Sequence, residues 1–315
     1  MKKISDNIDI EASIKREASE FKIRKSLVAL SGGPDSIATA FSLWKAGIEI
    51  KALHCNFHLR GEESNRDQEF VKEFCLKHQI PLECIEFDVD NYRLLNKGIS
   101  IEMACRDLRH NGFQKQLKDY SFQRIATGHN ADDNIETFFL NVLRGSGTRG
   151  LRCMDPDTGK IWRPLLSFHR SEILQYLSEN NLDYVVDSTN LKSDFRRNFL
   201  RNEILPLFSK EWNGFDSAMI RTIRNINAEN RIVEFYVNRI IENKTELNVE
   251  EILEFPSPLL LIKRFIDPLI PFTQTPEEVL SAIKANKPHI RKWRLKKGWV
   301  FLKNRVLFIE MGHGK

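Results

Sequence analysis

Apolar and polar positions along the first two thirds of the chain follow two alternating rhythms. Ser26 to Leu30 (SLVAL) is a short apolar run of strand length. Ile37 to Ala46 then spaces its apolar residues as a helix does. The pairing recurs. Ile48–Phe57, Pro81–Asp88, Arg124–Gly128 and Ile161–Leu166 read as strands. Helices are expected over Ser64–His78 with Ser64 as N-cap, Ile101–Asp119 opened by Ser100, Asp132–Arg144 stopped by Gly145 and Gly147, and Phe168–Asn180. Strands that alternate with helices predict a parallel sheet covered on both faces, with ligands at the carboxyl ends of the strands.

The rhythm changes after Trp212. Phe215–Glu242 has the pattern of one long, charged amphipathic helix. Shorter helical runs follow, broken by Pro256, Pro258, Pro268 and Pro271, and Gly298–Met311 reads as two strands joined near Lys303-Asn304. The expected organisation is an α/β parallel-sheet domain over residues 1–212. A smaller, mainly helical domain ending in a β-hairpin would occupy 213–315.

The turn between the first strand and the first helix is Ser31-Gly32-Gly33-Pro34-Asp35-Ser36. A glycine-rich turn there lets the backbone approach an anion and aims the first helical N–H groups at phosphate oxygens. Pro34 suits the first helical position, and Asp35 offers a carboxylate where Mg²⁺ on bound phosphates would want one. A Walker A loop would add a lysine, which this turn lacks. The turn resembles the SGGxDS signature of PP-loop pyrophosphatases. That resemblance implies cleavage of ATP between its α- and β-phosphates, with Ser31, Gly32, Gly33, Pro34, Asp35 and Ser36 holding the pyrophosphate.

Composition narrows the setting. No run of about 18 uncharged apolar residues exists, so no membrane span is expected. The N-terminus has no apolar signal core, and the five cysteines show no CxxC spacing. A cytoplasmic protein with reduced thiols and no zinc or iron–sulfur site is therefore expected. The net charge of +5 is uneven: Lys284 to Arg305 holds nine Lys or Arg residues and no acid, interleaved with Trp293 and Trp299. Such a stretch reads either as a nucleic-acid surface or as a solvated face over buried tryptophans.

Three further segments carry candidate chemistry. His129, Asp133 and Glu136 fall on one helical face at the end of a strand. The carboxylates would bind an ammonium, hold Mg²⁺ or accept a proton from an attacking amine; equally, they suit a capped, solvated helix start. Glu102 and Arg106 form an i,i+4 pair, and Arg197 and Arg201 another, whose forks suit phosphate oxygens.

Together these segments resemble the tRNA(Ile)-lysidine synthase family over roughly residues 20 to 210. The matching stretches are Ser31–Ser36, His58-Leu59-Arg60, Glu102–Arg106, His129 through Thr137, Arg144–Gly147, Gly150-Leu151, Arg163–Leu166, Asp187–Asn190 and Arg197–Arg201. Asn130 and Cys105 depart from the family's usual histidine and alanine without removing a charge. The resemblance implies lysidine formation at the wobble cytidine of a tRNA(Ile) with a CAU anticodon, using ATP, Mg²⁺ and L-lysine. By resemblance, Asp35 holds the metal and Asp133 and Glu136 hold and deprotonate lysine. Arg106, His129 and Arg201 would steady the activated cytidine, and the second domain would grip the tRNA. The rival readings are a tRNA thiolase, a glutamine amidotransferase, an NAD or GMP synthetase, and a non-catalytic RNA-binding module.

Overall fold

The computed structural model describes residues 9–119, 121–186, 195–270, 274–286 and 290–312. The chain divides into two compact units, Met1–Asn227 and Ala228–Lys315. The division falls inside one long helix, whereas the change of sequence pattern suggested a break before it.

In the first unit the expected alternation is present. Strands β1 (Lys25–Ala29), β2 (Glu49–Asn56), β3 (Leu82–Glu86), β4 (Arg124–Ala126) and β5 (Ile161–Trp162) form a parallel sheet in the order β3-β2-β1-β4-β5. The helices are α1 (Ile10–Glu20), α2 (Pro34–Lys45), α3 (Glu62–Lys77), α4 (Val89–Leu95), α5 (Ile101–Asp119), α6 (Ala131–Leu143), the short α7 (Thr148–Leu151) and α8 (Arg170–Glu179). From β1 the connections run one way to β2 and β3, and from β4 the other way to β5. The switch point thus lies between β1 and β4, and that is where an open α/β sheet forms its ligand crevice.

Strand periodicity sends alternate side chains to opposite faces. Val28, Ile50 and Ala52 join a core with Ile10, Ile14, Ile37, Phe74 and Ile173. Leu27, Leu53 and Ile125 face the other way, onto Phe113 of α5.

Several boundaries differ from expectation. Helix α1 was not anticipated; it buries Ile10, Ile14 and Ala18, four residues apart. Helix α3 starts at Glu62 rather than after Ser64, whose hydroxyl instead accepts from the Arg60 N–H at 3.3 Å. Ser100 does cap α5, accepting from the Met103 N–H at 3.1 Å. β5 stops at Trp162, since Pro164 cannot donate to a ladder.

After α8 the chain continues through α9 (Phe195–Phe199), a π turn at Leu200–Ile204, α10 (Leu205–Glu211) and the long α11 (Phe215–Ile241). The second unit adds β6 (Glu246–Asn248), α12 (Val249–Glu254), α13 (Pro258–Ile266), α14 (Thr275–Ala285), β7 (Arg291–Leu295), β8 (Gly298–Lys303) and β9 (Val306–Met311). Its core joins Leu261, Phe265 and Val279 to Leu295, Val300 and Leu307. In place of a lone hairpin there is a four-stranded antiparallel sheet, ordered β6-β9-β8-β7. The basic run at Arg291–Leu295 proves to be one of its strands. Among the described residues no helix is long and apolar enough to cross a membrane.

A half-buried acid ties α1 to the sheet: Glu17 Oε2 accepts from the Trp162 indole N–H at 3.0 Å. Burial lifts the Glu17 pKa from 4.5 to about 7, against the opposing pull of that bond. Between those values the folded protein retains a proton that the unfolded chain has released, so stability falls as pH rises from 4.5 through 7. Glu17→Gln should therefore raise the melting temperature relative to the parent at pH 8 and lose that advantage at pH 4. Thermal melts across that range check this, and a pH-independent difference would contradict it.

Candidate active site

The loop after β1 does what its composition dictates. Gly32 sits at φ +93°, open to glycine and strained for other residues, and its carbonyl accepts from the Val185 N–H at 2.9 Å. Pro34 begins α2, and Gly33 before it makes no side-chain cap. The first-turn amides of this twelve-residue helix therefore keep their anion-binding character. Ser36 Oγ donates to the Gly33 carbonyl at 2.9 Å and accepts from the Ser31 N–H at 3.2 Å, which ties the loop into a closed turn.

The loop opens on a cavity of about 470 Å³. Ser31, Gly33, Pro34, Asp35, Ser36 and His129 line its polar end; Leu30, Leu53, Phe57 and Phe113 give it an apolar wall. A polar cradle joined to an apolar slot of this size matches a nucleotide.

The end of β4 reaches the same place. A Cβ built on Gly128 would lie 2.8 Å from the backbone carbon and oxygen of Asp35, so only glycine lets the two segments approach this closely. The next residues enter α6 through a capping box in which Asn130 and Asp133 exchange side-chain bonds with each other's backbone N–H. Asn130, noted in the sequence only as a departure from a pattern, also donates from Nδ2 to Asp35 Oδ1 at 3.0 Å.

Asp35 Oδ2 faces Arg170 Nη1 at 3.3 Å. Burial raises the Asp35 pKa, and Arg170 and Asn130 offset only part of that rise. Arg170 is the first residue of α8, where the helix dipole disfavours a cation. That local conflict is the signal the sequence carries for it. Asp132 holds this helix start in place: it accepts from His169 Nδ1 at 2.7 Å and from the Arg170 N–H at 2.9 Å. Burial would raise the Asp132 pKa, but these two bonds outweigh it and hold the carboxyl below its usual value. The same bond raises the pKa of His169.

Next to the cavity, four charges interlock. Glu136 is buried, and Arg197 Nε and Arg201 Nε grip its two oxygens at 2.6 and 2.5 Å. Both guanidiniums also reach Asp133 Oδ1, at 3.2 and 3.1 Å. The π turn carries Arg201, so a local widening of the helix helps seat the second fork. The acidic pair is thus neutralised by the arginines that the sequence assigned to phosphate. Asp133, Glu136 and Arg201 stand beside the cavity and do not line it.

His129 is half-buried, with Nδ1 2.9 Å from Thr127 Oγ1. Burial lowers its pKa and outweighs the attraction of Asp133, which keeps the ring neutral at pH 7. Arg106 is exposed on α5 and adds to the positive field at His129. Cys55 also lines the cavity, and burial pushes its thiol up to about 11, which makes it a poor nucleophile. The segment Asp187–Asn190 lies outside the described residues.

The profile of the PP-loop domain family matches residues 6–208. The chain belongs to the PP-loop family. The tRNA(Ile)-lysidine synthase of Bacteroides thetaiotaomicron is 40% identical over 249 residues, covering 78% of this chain and 58% of that protein. The tRNA(Ile)-lysidine synthase of Petrotoga mobilis is 37% identical over 210 residues, covering 64% of this PP-loop protein and 67% of the relative. These names agree with the resemblance read from the motifs. The chain spans little more than half the length of the Bacteroides and Parabacteroides relatives it matches. Among solved structures, the U34-tRNA thiolase NcsA from Methanococcus maripaludis superposes with a TM-score of 0.59 at 17% identity, covering 70% of this chain and 79% of that one. At that identity the likeness establishes a shared fold.

Gly128→Ala tests the close approach at the switch point. Its methyl would push the loop from the strand end, costing about 1–3 kcal/mol of stability by overpacking. Calorimetric titration should show ATP affinity falling at least tenfold at a temperature where the variant is folded. Unchanged affinity would mean that the loop tolerates displacement.

Proposed function

We propose that this chain ligates L-lysine to C2 of the wobble cytidine in a tRNA(Ile) with a CAU anticodon, using ATP and releasing AMP and diphosphate. The modified base would read AUA in place of AUG. The observation that carries this reading is the juxtaposition at the switch point: a helix N-terminus open for phosphate, with an acidic pair beside it clamped by two arginines. The names of the relatives support it over 64–78% of the chain.

In the first step the C2 carbonyl oxygen of cytidine attacks the α-phosphorus of ATP. The bond from that phosphorus to the bridging oxygen breaks, and diphosphate leaves. The N–H groups at the start of α2 and the hydroxyls of Ser31 and Ser36 would take the departing charge, with Arg170 close to the same oxygens. The donors at this end of the cavity, one carboxylate and two hydroxyls, are hard oxygens. They fit Mg²⁺, which takes one or two carboxylates together with substrate phosphates and keeps several waters. Asp35 would hold that ion, which when bound supplies further neutralisation of the phosphates.

In the second step the ε-amine of lysine attacks C2, and the C–O bond to AMP breaks. Asp133 and Glu136 would orient the ammonium and accept its proton. In this structure their oxygens are occupied by Arg197 and Arg201, so lysine must take the place of one guanidinium contact. An arginine released in that exchange becomes available to the adenylate phosphate, which couples arrival of the amine to stabilisation of the leaving group. Neutral His129 would hydrogen-bond the activated cytidine, and Arg106 would approach it from α5. The base must leave its stack to place C2 in the pocket.

Turnover should require ATP, lysine and tRNA(Ile) together. Mass spectrometry of nucleosides after incubation with labelled lysine should show cytidine gaining lysine. Diphosphate release with ammonia but not lysine would favour a synthetase instead. Asp35→Ala should lower adenylation by about 10²–10³-fold, in the range seen when one charge-stabilising group is removed. Arg201→Ala should depress tRNA-dependent turnover far more than ATP affinity. Full activity in Asp35→Ala would refute the metal role.

A further inference from the structure

The basic stretch that the sequence left open between a solvated face and a nucleic-acid surface folds into an ordered array. β7, β8 and β9 pair so that Lys292 lies opposite Phe301, Arg294 opposite Trp299, and Phe301 opposite Phe308. Directly paired residues share a face of an antiparallel sheet, so Lys292, Arg294, Trp299, Phe301, Lys303 and Phe308 all point the same way. The unit's core uses the opposite face, through Leu295, Val300 and Leu307, and none of the three outward aromatics belongs to it.

The rings form a stripe. Trp299 and Phe301 have centroids 6.4 Å apart, and Phe301 and Phe308 lie nearly parallel, 12° apart, at 5.0 Å. Lys292 Nζ and Arg294 Cζ stand 5.6 and 5.8 Å from the Trp299 ring centre. The rings are half-buried, while Lys292, Arg294 and Lys303 are exposed. On the described strands the carboxylates of this face are Glu246 and Glu310, paired opposite Phe308 and Trp299 at its margins.

A ladder of flat rings flanked by exposed cations has the chemistry that binds single-stranded nucleic acid. Every base has a face to stack on a ring, and the cations meet the phosphates that follow. Duplex RNA keeps its bases stacked on one another and offers little to such a stripe. We propose that the outward face of this sheet is a stacking platform for unpaired nucleotides of RNA, with Trp299, Phe301 and Phe308 receiving bases and Lys292, Arg294 and Lys303 receiving phosphates. This deepens the reading of an RNA substrate and is tested without ATP or lysine.

The probe is a short labelled oligouridine, with a blunt RNA duplex of equal length for comparison, titrated against the full chain over a range of salt. The Trp299→Leu/Phe301→Leu double variant should bind the single strand about tenfold more weakly with its salt slope unchanged, as expected when stacking alone is lost. The Lys292→Ala/Arg294→Ala double variant should flatten the slope of log affinity against log salt by roughly 1.4, about 0.7 for each lost single-strand phosphate contact. Parental binding by a folded ring variant, an unchanged slope in the cation variant, or equal affinity for duplex and single strand would each overturn the proposal. The cation variant alters only exposed side chains, so it decides the matter if the ring variant fails to fold. Lysidine formation is scored separately. If it is absent while these binding changes appear, the catalytic reading fails and the platform stands.

Discussion

Gly128 and Asp35 approach so closely that no side chain fits between their backbones, and the first unit's chemistry depends on that contact. β1 and β4 are neighbours in the sheet, but the chain leaves them in opposite directions. Their carboxyl ends form a crevice only if the loop after one can lie against the end of the other. With glycine there, the start of α2, the Asp35 carboxylate and the capping residue Asn130 meet within hydrogen-bond distance. The start of α2 and the helix carrying the acidic pair are thereby brought side by side.

Charge is handled by mutual neutralisation. Glu136 is buried, and an isolated carboxylate there would be costly; two arginine forks make it tolerable by satisfying both oxygens. Such an arrangement holds while all four charges are in place, since removing one arginine would leave a carboxylate oxygen short of its partner. Asp35 and Arg170 stand in a similar relation on the cavity side. Asn130 and Arg170 between them engage both oxygens of that carboxylate.

The second unit solves a different problem with the same economy of pattern. Its strands place apolar residues on the helices and an aromatic stripe on the outside, so one period-two sequence builds both a core and a surface. Cations over the Trp299 ring keep that outer face compatible with water.

The alternation of strands and helices, the parallel sheet, the glycine turn ahead of α2 and the places of Asp133 and Glu136 on α6 were legible in the sequence; His129 was expected on the same helical face, but α6 begins at Ala131 behind the Asn130 cap and leaves His129 in the preceding loop. Each rests on local physics: side-chain period, glycine freedom and capping chemistry act within a few residues. Arg170 meeting Asp35, Asn130 bridging to the loop, and the double clamp on Glu136 were not legible. Those contacts join residues 61 to 135 positions apart, whose distance is set by strand order and packing. The strand at Arg291–Leu295 was hidden because its outward positions are charged, and its identity as a strand depends on partners later in the chain. Local composition determined what each segment can be. Only the tertiary structure decided which charges neutralise one another, because that depends on which ends of the sheet come together.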